Sequence, residues 1–160
     1  MATATFTTVW QSADETTRLQ AVEFWRELNL LPKGETPERR AAELSVVAHE
    51  DDLLVAVATA HLAELPRLRV RLGMFRCAVA PGRRREGYAA ELAWRTRDAL
   101  EAWSAAHREQ KLMGMGCLVQ GAELSAKKAQ PKWPISGMYL VGYTDQGDQI
   151  RVVWFKHARV

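Results

Sequence analysis

The chain has 160 residues, 48% apolar and 26% charged, fractions that exclude disordered, collagenous and coiled-coil organisation. Its 22 basic and 19 acidic residues leave a net charge of +3, too mild a balance to specify a nucleic-acid partner by itself. The two cysteines, Cys77 and Cys117, form neither a disulfide framework nor a CxxC pair, so a reducing compartment is the default.

No apolar run reaches the ~18 residues that a bilayer crossing needs. The first residues lack the basic and apolar regions of a secretory signal. A single cytoplasmic domain over residues 1–160 is expected, long enough to bury a core without metal or disulfide. No His/Cys/Asp grouping has metal-ligand spacing, and no metal is expected.

Phe6 to Trp10 reads as a short strand. Ser12-Ala13-Asp14-Glu15 matches a capping box with Ser12 as N-cap, and Ala21, Phe24, Trp25 and Leu28 recur behind it at helical spacing. Pro32 closes that helix. Thr36-Pro37-Glu38 starts a second, short helix to about Leu44. Two apolar runs, Ser45 to His49 and Leu53 to Leu62, flank Glu50-Asp51-Asp52 as a hairpin.

Past Pro66, a strand runs from Leu68 to Val79. Leu68, Val70, Leu72 and Met74 are apolar on even numbers, whereas Phe75, Cys77 and Val79 carry the phase on odd ones. A period of two changes phase only through an inserted residue, which predicts a β-bulge near Gly73 to Phe75; a strand buried on both faces is the alternative. A long helix follows Gly87, with Ala89, Leu92, Ala93, Thr96, Ala99, Leu100 and Trp103 on one face. His107 and Arg108 suit the negative pole at its end.

Leu112 to Val119 reads as an interior strand, so strand, helix and strand form a βαβ unit with parallel flanks. A short helix is expected within residues 121–130, ended by Pro131 and Pro134. Met138 to Tyr143 and Gln149 to His157 then form a closing hairpin across Asp145 to Asp148. The fold class is a mixed α+β sheet, mostly antiparallel, with one parallel crossover and helices on both faces.

The segment Arg84-Arg85-Glu86-Gly87-Tyr88-Ala89 lies between a strand and the first turn of an amphipathic helix, where backbone N–H groups lack intrahelical partners. Those amides and the helix dipole favour an anion. Gly87 lets the backbone approach a phosphate, small Ala89 leaves the next amide unshielded, and Arg83, Arg84 and Arg85 can clamp phosphate oxygens. The Gly-Lys-Ser/Thr ending of a Walker A loop and the three glycines of a dinucleotide fingerprint are both missing. A solvated basic turn before a helix would account for the same residues.

Val79-Ala80-Pro81 followed by Arg84-x-x-Gly87-x-Ala89 on a strand–loop–helix resembles motif A of the GNAT superfamily of acyl-CoA-dependent N-acyltransferases. That family's signature is Gln/Arg-x-x-Gly-x-Gly/Ala after a Val-x-Pro strand end. The order of elements from Phe6 to His157 is similar as well. The resemblance implies that the amides of Arg85, Glu86, Gly87, Tyr88 and Ala89 cradle the diphosphate of acetyl-CoA, with Arg84 supporting the loop. Cys77 to Val79 would pair with the pantetheine arm, the strand over Met113 to Gln120 would form the other wall, and the Val79 amide would stabilise the oxyanion.

The residues over Gly121 to Trp133 depart from the family pattern, holding neither its Asn nor its late Tyr. The general acid is therefore unassigned, with Tyr139 as a stand-in candidate and Tyr143 close by. His49, Glu50, His61 and Glu64, at the ends of the middle strands, are candidates for the base, and a water chain could serve instead. The implied reaction is acetyl transfer from acetyl-CoA to a primary amine of a small molecule or peptide. Two other readings stand beside it. One is an acyl-CoA-binding module without catalysis. The other is a nucleic-acid surface built from Arg83 to Arg85, Lys127, Lys128, Trp94 and Trp133. Trp25, Trp133 and Trp154 could line an acceptor pocket or pack in the core. A homodimer through the last strands is compatible with the sequence, and no membrane partner is expected.

Overall fold

A computed structural model describes residues 3–31, 33–66, 68–84, 87–119, 130–134 and 136–158. Its elements follow in the order β1 (Thr5–Thr8), α1 (Glu15–Glu27), α2 (Pro37–Ala41), β2 (Leu44–Glu50), β3 (Leu53–Leu65), β4 (Val70–Val79), α3 (Tyr88–Ala106), β5 (Leu112–Val119), β6 (Tyr139–Tyr143) and β7 (Gln149–Trp154). The described strands form one seven-stranded sheet ordered β1-β2-β3-β4-β5-β7-β6. β1 pairs antiparallel with β2, β2 with β3, and β7 with both β5 and β6, whereas β4 and β5 run parallel. This is the expected mixed sheet with one crossover through α3. The chain divides into two compact units, residues 1–60 with 76–99 and residues 61–75 with 100–160.

In the first unit, α1 and α2 cover one face of β2 and β3. Phe24, Trp25 and Ala41 are buried there against Leu44, Val47, Leu54 and Val57. Phe6 stands opposite Ala48 in the β1–β2 register, hence on the other face from Val47. That second face receives α3: the Tyr88 ring meets Phe6 edge-on at 5.5 Å. Ser45 is the extra residue of a bulge between Leu44 and Val46, and its hydroxyl lies 2.8 Å from that of Thr96. The bulge turns a polar side chain toward a hydroxyl that satisfies it.

Several expected boundaries shift: β3 runs on to Leu65, β4 starts at Val70 and β7 ends at Trp154. The N-cap of α1 is Asp14, not Ser12: its carboxylate accepts the Thr17 amide proton at 2.8 Å. Ser12 instead closes a turn through its amide to the Val9 carbonyl, at 2.9 Å, just past Gln11 at φ +61°. α2 starts at Pro37 behind Thr36 as expected but ends at Ala41. Val9 and Trp10 lie beyond β1, which ends at Thr8.

The second unit carries the parallel pair. Arg71 faces Leu112, then Leu72 faces Gly114, so the irregularity against β5 lies at Arg71/Leu72, with Met113 as the extra residue. Gly73 and Met74 continue in step with Met115 and Gly116. The changing apolar phase of β4 has a second cause, since Leu72 and Gly73, on opposite faces, are both buried. A Cβ on Gly73 would sit 2.7 Å from Leu100 Cδ1 of α3. The β6–β7 hairpin closes through Thr144, whose amide and carbonyl bond to Asp148 and Gly147 at 2.9 and 3.0 Å. Arg151 is fully buried in β7. It donates to Gln149 Oε1 at 2.9 Å and to the Gln130 carbonyl at 2.7 Å, and its guanidinium lies 4.0 Å above the Trp133 ring. The short helix expected within 121–130 falls outside the described residues except at Gln130.

Candidate functional site

The loop between β4 and α3 is shaped by four backbone-directed bonds. The Ala80 amide donates to the Val55 carbonyl at 2.8 Å, which fixes the end of β4. Pro81 to Arg83 form one 3₁₀ turn, closed by the Arg83 amide on the Ala80 carbonyl at 2.8 Å. The Arg84 guanidinium reaches back to the Val79 carbonyl at 3.5 Å. The Glu91 amide donates to the Gly87 carbonyl at 3.2 Å, the first bond of α3.

Gly87 is therefore the residue before the first helical turn, and the amides of Tyr88, Ala89 and Ala90 precede any intrahelical bond. Its φ is +76°, a left-handed conformation that disfavours any residue with a Cβ. A Cβ built there meets nothing within 4 Å. Glycine is required by the backbone turn and not by crowding, and Ala89 beside it is exposed. A helix N-terminus with an uncovered approach favours an oxyanion. Of the expected cofactor residues, Val79 ends β4, Arg84 follows the 3₁₀ turn, Gly87 precedes α3, and Tyr88 and Ala89 open it; Arg85 and Glu86 lie outside the described residues.

Under the loop sits a group of side chains that the sequence did not suggest. Glu50, 6% exposed at the end of β2, accepts two bonds from the Arg83 guanidinium at 2.7 and 2.6 Å. It also accepts the Tyr88 hydroxyl at 2.8 Å. The Arg83 bonds first, then that of Tyr88, hold its carboxyl below the ordinary glutamate range. Arg83 and Glu50, expected separately as a phosphate clamp and a candidate base, are thus paired with each other in this structure. The one sequence signal was an acid ending the otherwise apolar run from Leu44 to His49, since a buried carboxylate needs a cation.

The depressed Glu50 carboxyl makes stability pH-dependent. Its contribution is present above the unfolded-state value near 4.5 and is lost as pH falls through the lower folded-state value. Thermal unfolding between pH 6 and 3 should show a fall that Glu50→Gln flattens, with the variant less stable at pH 6. Equal pH slopes for the two proteins would contradict this anchor.

The other expected site residues are placed as follows. Cys77 is exposed as a residue, yet the protein packed around its thiol desolvates it and pushes it up to about 11, so at neutral pH the thiol is protonated. His49 Nε2 bonds to Gln20 Oε1 at 3.0 Å. Glu64 is exposed and His61 half-buried, both near the end of β3. Tyr139 is 45% exposed on the edge strand β6, with the Lys132 ammonium 5.1 Å from its ring centre, and Tyr143 is exposed on the same strand. Of the three tryptophans, Trp25 is core, 1% exposed, under the Arg40 guanidinium at 5.1 Å. Trp133 is half-buried, and Trp154 is partly exposed on β7. Lys127 and Lys128 lie outside the described residues. Among the described residues, no three His, Cys, Asp or Glu side chains gather as a metal site, and no helix is long and apolar enough to cross a membrane.

No protein-family model and no curated protein sequence matches the chain. Solved structures do match. An acetyltransferase of the GNAT family from Streptococcus pneumoniae superposes with a TM-score of 0.58 at 12% identity, over 96% of this chain and 99% of that one. Arabidopsis thaliana NAA60 in complex with acetyl-CoA gives 0.56 at 12%, over 96% and 99%. The putative acetyltransferase yncA from Salmonella typhimurium, with its cofactor acetyl-CoA, gives 0.58 at 11%, over 98% and 96%. At such identities the likeness establishes the architecture: this chain has the GNAT fold.

Proposed function

We propose that the protein is an N-acetyltransferase that takes its acetyl group from acetyl-CoA and delivers it to a primary amine of a small molecule or peptide. The observation that carries this reading is the left-handed Gly87 at the mouth of α3, with exposed Ala89 beside it, on a fold whose matched structures include acetyl-CoA complexes. Bound acetyl-CoA supplies a thioester carbonyl as the electrophile.

The chain's own residues supply position and charge. The amides of Tyr88 and Ala89, with those of Arg85 to Gly87, hold the diphosphate through N–H donors and the helix dipole. Arg84 braces the loop through the Val79 carbonyl while presenting its charge beside it. Glu50 fixes the loop from beneath through Arg83 and Tyr88, so the amides are preorganised before ligand arrives. The β4 end at Cys77 to Val79 offers main-chain groups to the pantetheine arm, and the Val79 amide is the donor proposed for the oxyanion. The amine nitrogen bonds to the carbonyl carbon, the C–S bond breaks, the thiolate gains a proton and the amine loses one. No residue is assigned as that acid or base.

Acyl-CoA binding without transfer is the second reading. It draws on the engagement of Glu50 and on the exposed edge-strand position of Tyr139. Titration calorimetry with acetyl-CoA, followed by thiol release across a panel of primary amines, separates the two. Amine-dependent release supports the enzyme. Micromolar binding with no release for any amine or peptide leaves the binding module, and absence of binding overturns both.

A further inference from the structure

The sheet ends in β1 on one side and in β6 on the other. An exposed edge strand presents unpaired N–H and C=O groups, which a bulge, a lysine or a covering segment ordinarily blunts. The β6 edge carries all three. Leu140 donates its amide to the Pro131 carbonyl at 2.9 Å, and Lys132 bridges to Tyr139. Tyr139 also pairs with Val152 of β7, so residues 131 and 132 lie along its outer side. The register of β6 shifts between Leu140 and Gly142 as well.

Among the described residues, the β1 edge carries none of them. It keeps one register against β2 from Thr5↔His49 to Thr8↔Val46, without a shift. The same step sets Val9 opposite Ser45, and the Val9 amide donates to the Ser45 carbonyl at 2.8 Å. Bonded pairs alternate with unbonded ones in an antiparallel ladder. Thr5, Thr7 and Val9 therefore turn their backbone groups to β2, whereas Phe6 and Thr8 turn theirs outward. No proline and no charged residue stands between Thr3 and Trp10, and Thr5, Thr7 and Thr8 are exposed. The charged and titratable side chains nearest the strand are engaged within the chain. Arg95, 5.4 Å above the Phe6 ring, pairs with Glu91 at 2.7 Å. His49, opposite Thr5 on the other face, bonds to Gln20 at 3.0 Å.

We propose that β1 pairs antiparallel with β1 of a second copy of this chain, about a twofold axis at Thr7. Phe6 then exchanges both backbone bonds with the partner's Thr8, and Thr8 with the partner's Phe6. Every outward group of the strand is used, and the two Thr7 side chains meet in the unbonded pair on the axis, where side chains stand closest. The occupant is a second copy because an antiparallel edge is complementary to itself about a twofold, which closes the assembly at two. The strand also brings no charge to repel its like, and threonine pairs across strands are favourable. A strand pair this short covers less than the about 1,200 Å² of a standard interface, so association is weak and depends on concentration. The proposal is independent of the acetyl-CoA reading, because it uses no residue of the loop ahead of α3.

The test is sedimentation velocity on the full chain from about 10 μM to about 1 mM, where a monomer–dimer equilibrium is expected. Thr7→Lys and Thr7→Glu should each weaken association at least tenfold at unchanged melting temperature, because like charges then face each other on the axis. An equimolar mixture of the two variants should associate again as a heterodimer. Thr8→Pro removes an outward donor and leaves the bonds to β2 intact, and should weaken association as well. A chain that stays monomeric throughout that range overturns the proposal, even if an extended peptide is found to bind the edge instead. A dimer indifferent to all three variants, or a mixture that associates no better than its components, overturns it too.

Discussion

Ala89→Glu is expected to weaken acetyl-CoA binding by one to two orders of magnitude while leaving the protein as stable as the parent, or slightly more so. The two effects have opposite signs because the same field acts on both. Ala89 is the second residue of α3 and exposed. A carboxylate there faces the positive helix pole, which stabilises the fold by about 0.3–1 kcal/mol. The same carboxylate competes for the amides on which the diphosphate is proposed to rest, and it repels the incoming charge. Gly87→Ala acts differently. At φ +76° a Cβ costs about 1–2 kcal/mol, so both stability and affinity should fall, affinity by about tenfold. Calorimetric titration beside thermal unfolding reads both quantities. Ala89→Glu binding acetyl-CoA like the parent would remove the loop from the proposed site, whatever the enzyme assay shows.

Where the chain's signals are local, the sequence reads through to the structure. Leu112 to Val119 is bounded as expected because an uninterrupted apolar run between polar residues admits no other strand. Pro37 behind Thr36 starts α2 because its fixed φ and absent N–H suit only a first turn. Gly87 drew notice as a place where the backbone could approach a phosphate; its left-handed φ of +76° is a separate requirement, seen only in the structure. What failed depended on distance. Ser12 and Asp14 are equally good N-caps in isolation, and the turn from Val9 to Ser12 decided between them. Arg83 looked like one of three interchangeable cations until Glu50, 33 positions earlier, engaged it. No window of sequence contains that pair. The anchoring of the loop, as opposed to its existence, was therefore out of reach of local patterns.

Gly114→Ala should be the most damaging single-methyl change in the second unit, costing about 3 kcal/mol and lowering the melting temperature by roughly 10 °C for a chain of this size. A Cβ at Gly114 would collide with the Val153 carbonyl oxygen and stand 3.3 Å from Trp154 Cα. Both are backbone atoms of β7, which pairs with β5 from Gly114 to Val119, so relief requires breaking ladder bonds at Gly114↔Trp154. Gly116 offers the contrast. Its Cβ would meet Met74 Sδ at 3.0 Å and Leu72 Cδ1 at 3.2 Å, side-chain atoms that can rotate away, and Gly116→Ala should cost about 1 kcal/mol or less. The two substitutions add the same methyl to the same strand two residues apart, so helix or strand propensity cannot separate them. Urea unfolding with an unchanged m-value would assign the difference to the native state. Similar losses for both variants would mean that β7 does not hold its backbone against β5 as closely as the Gly114 approach requires.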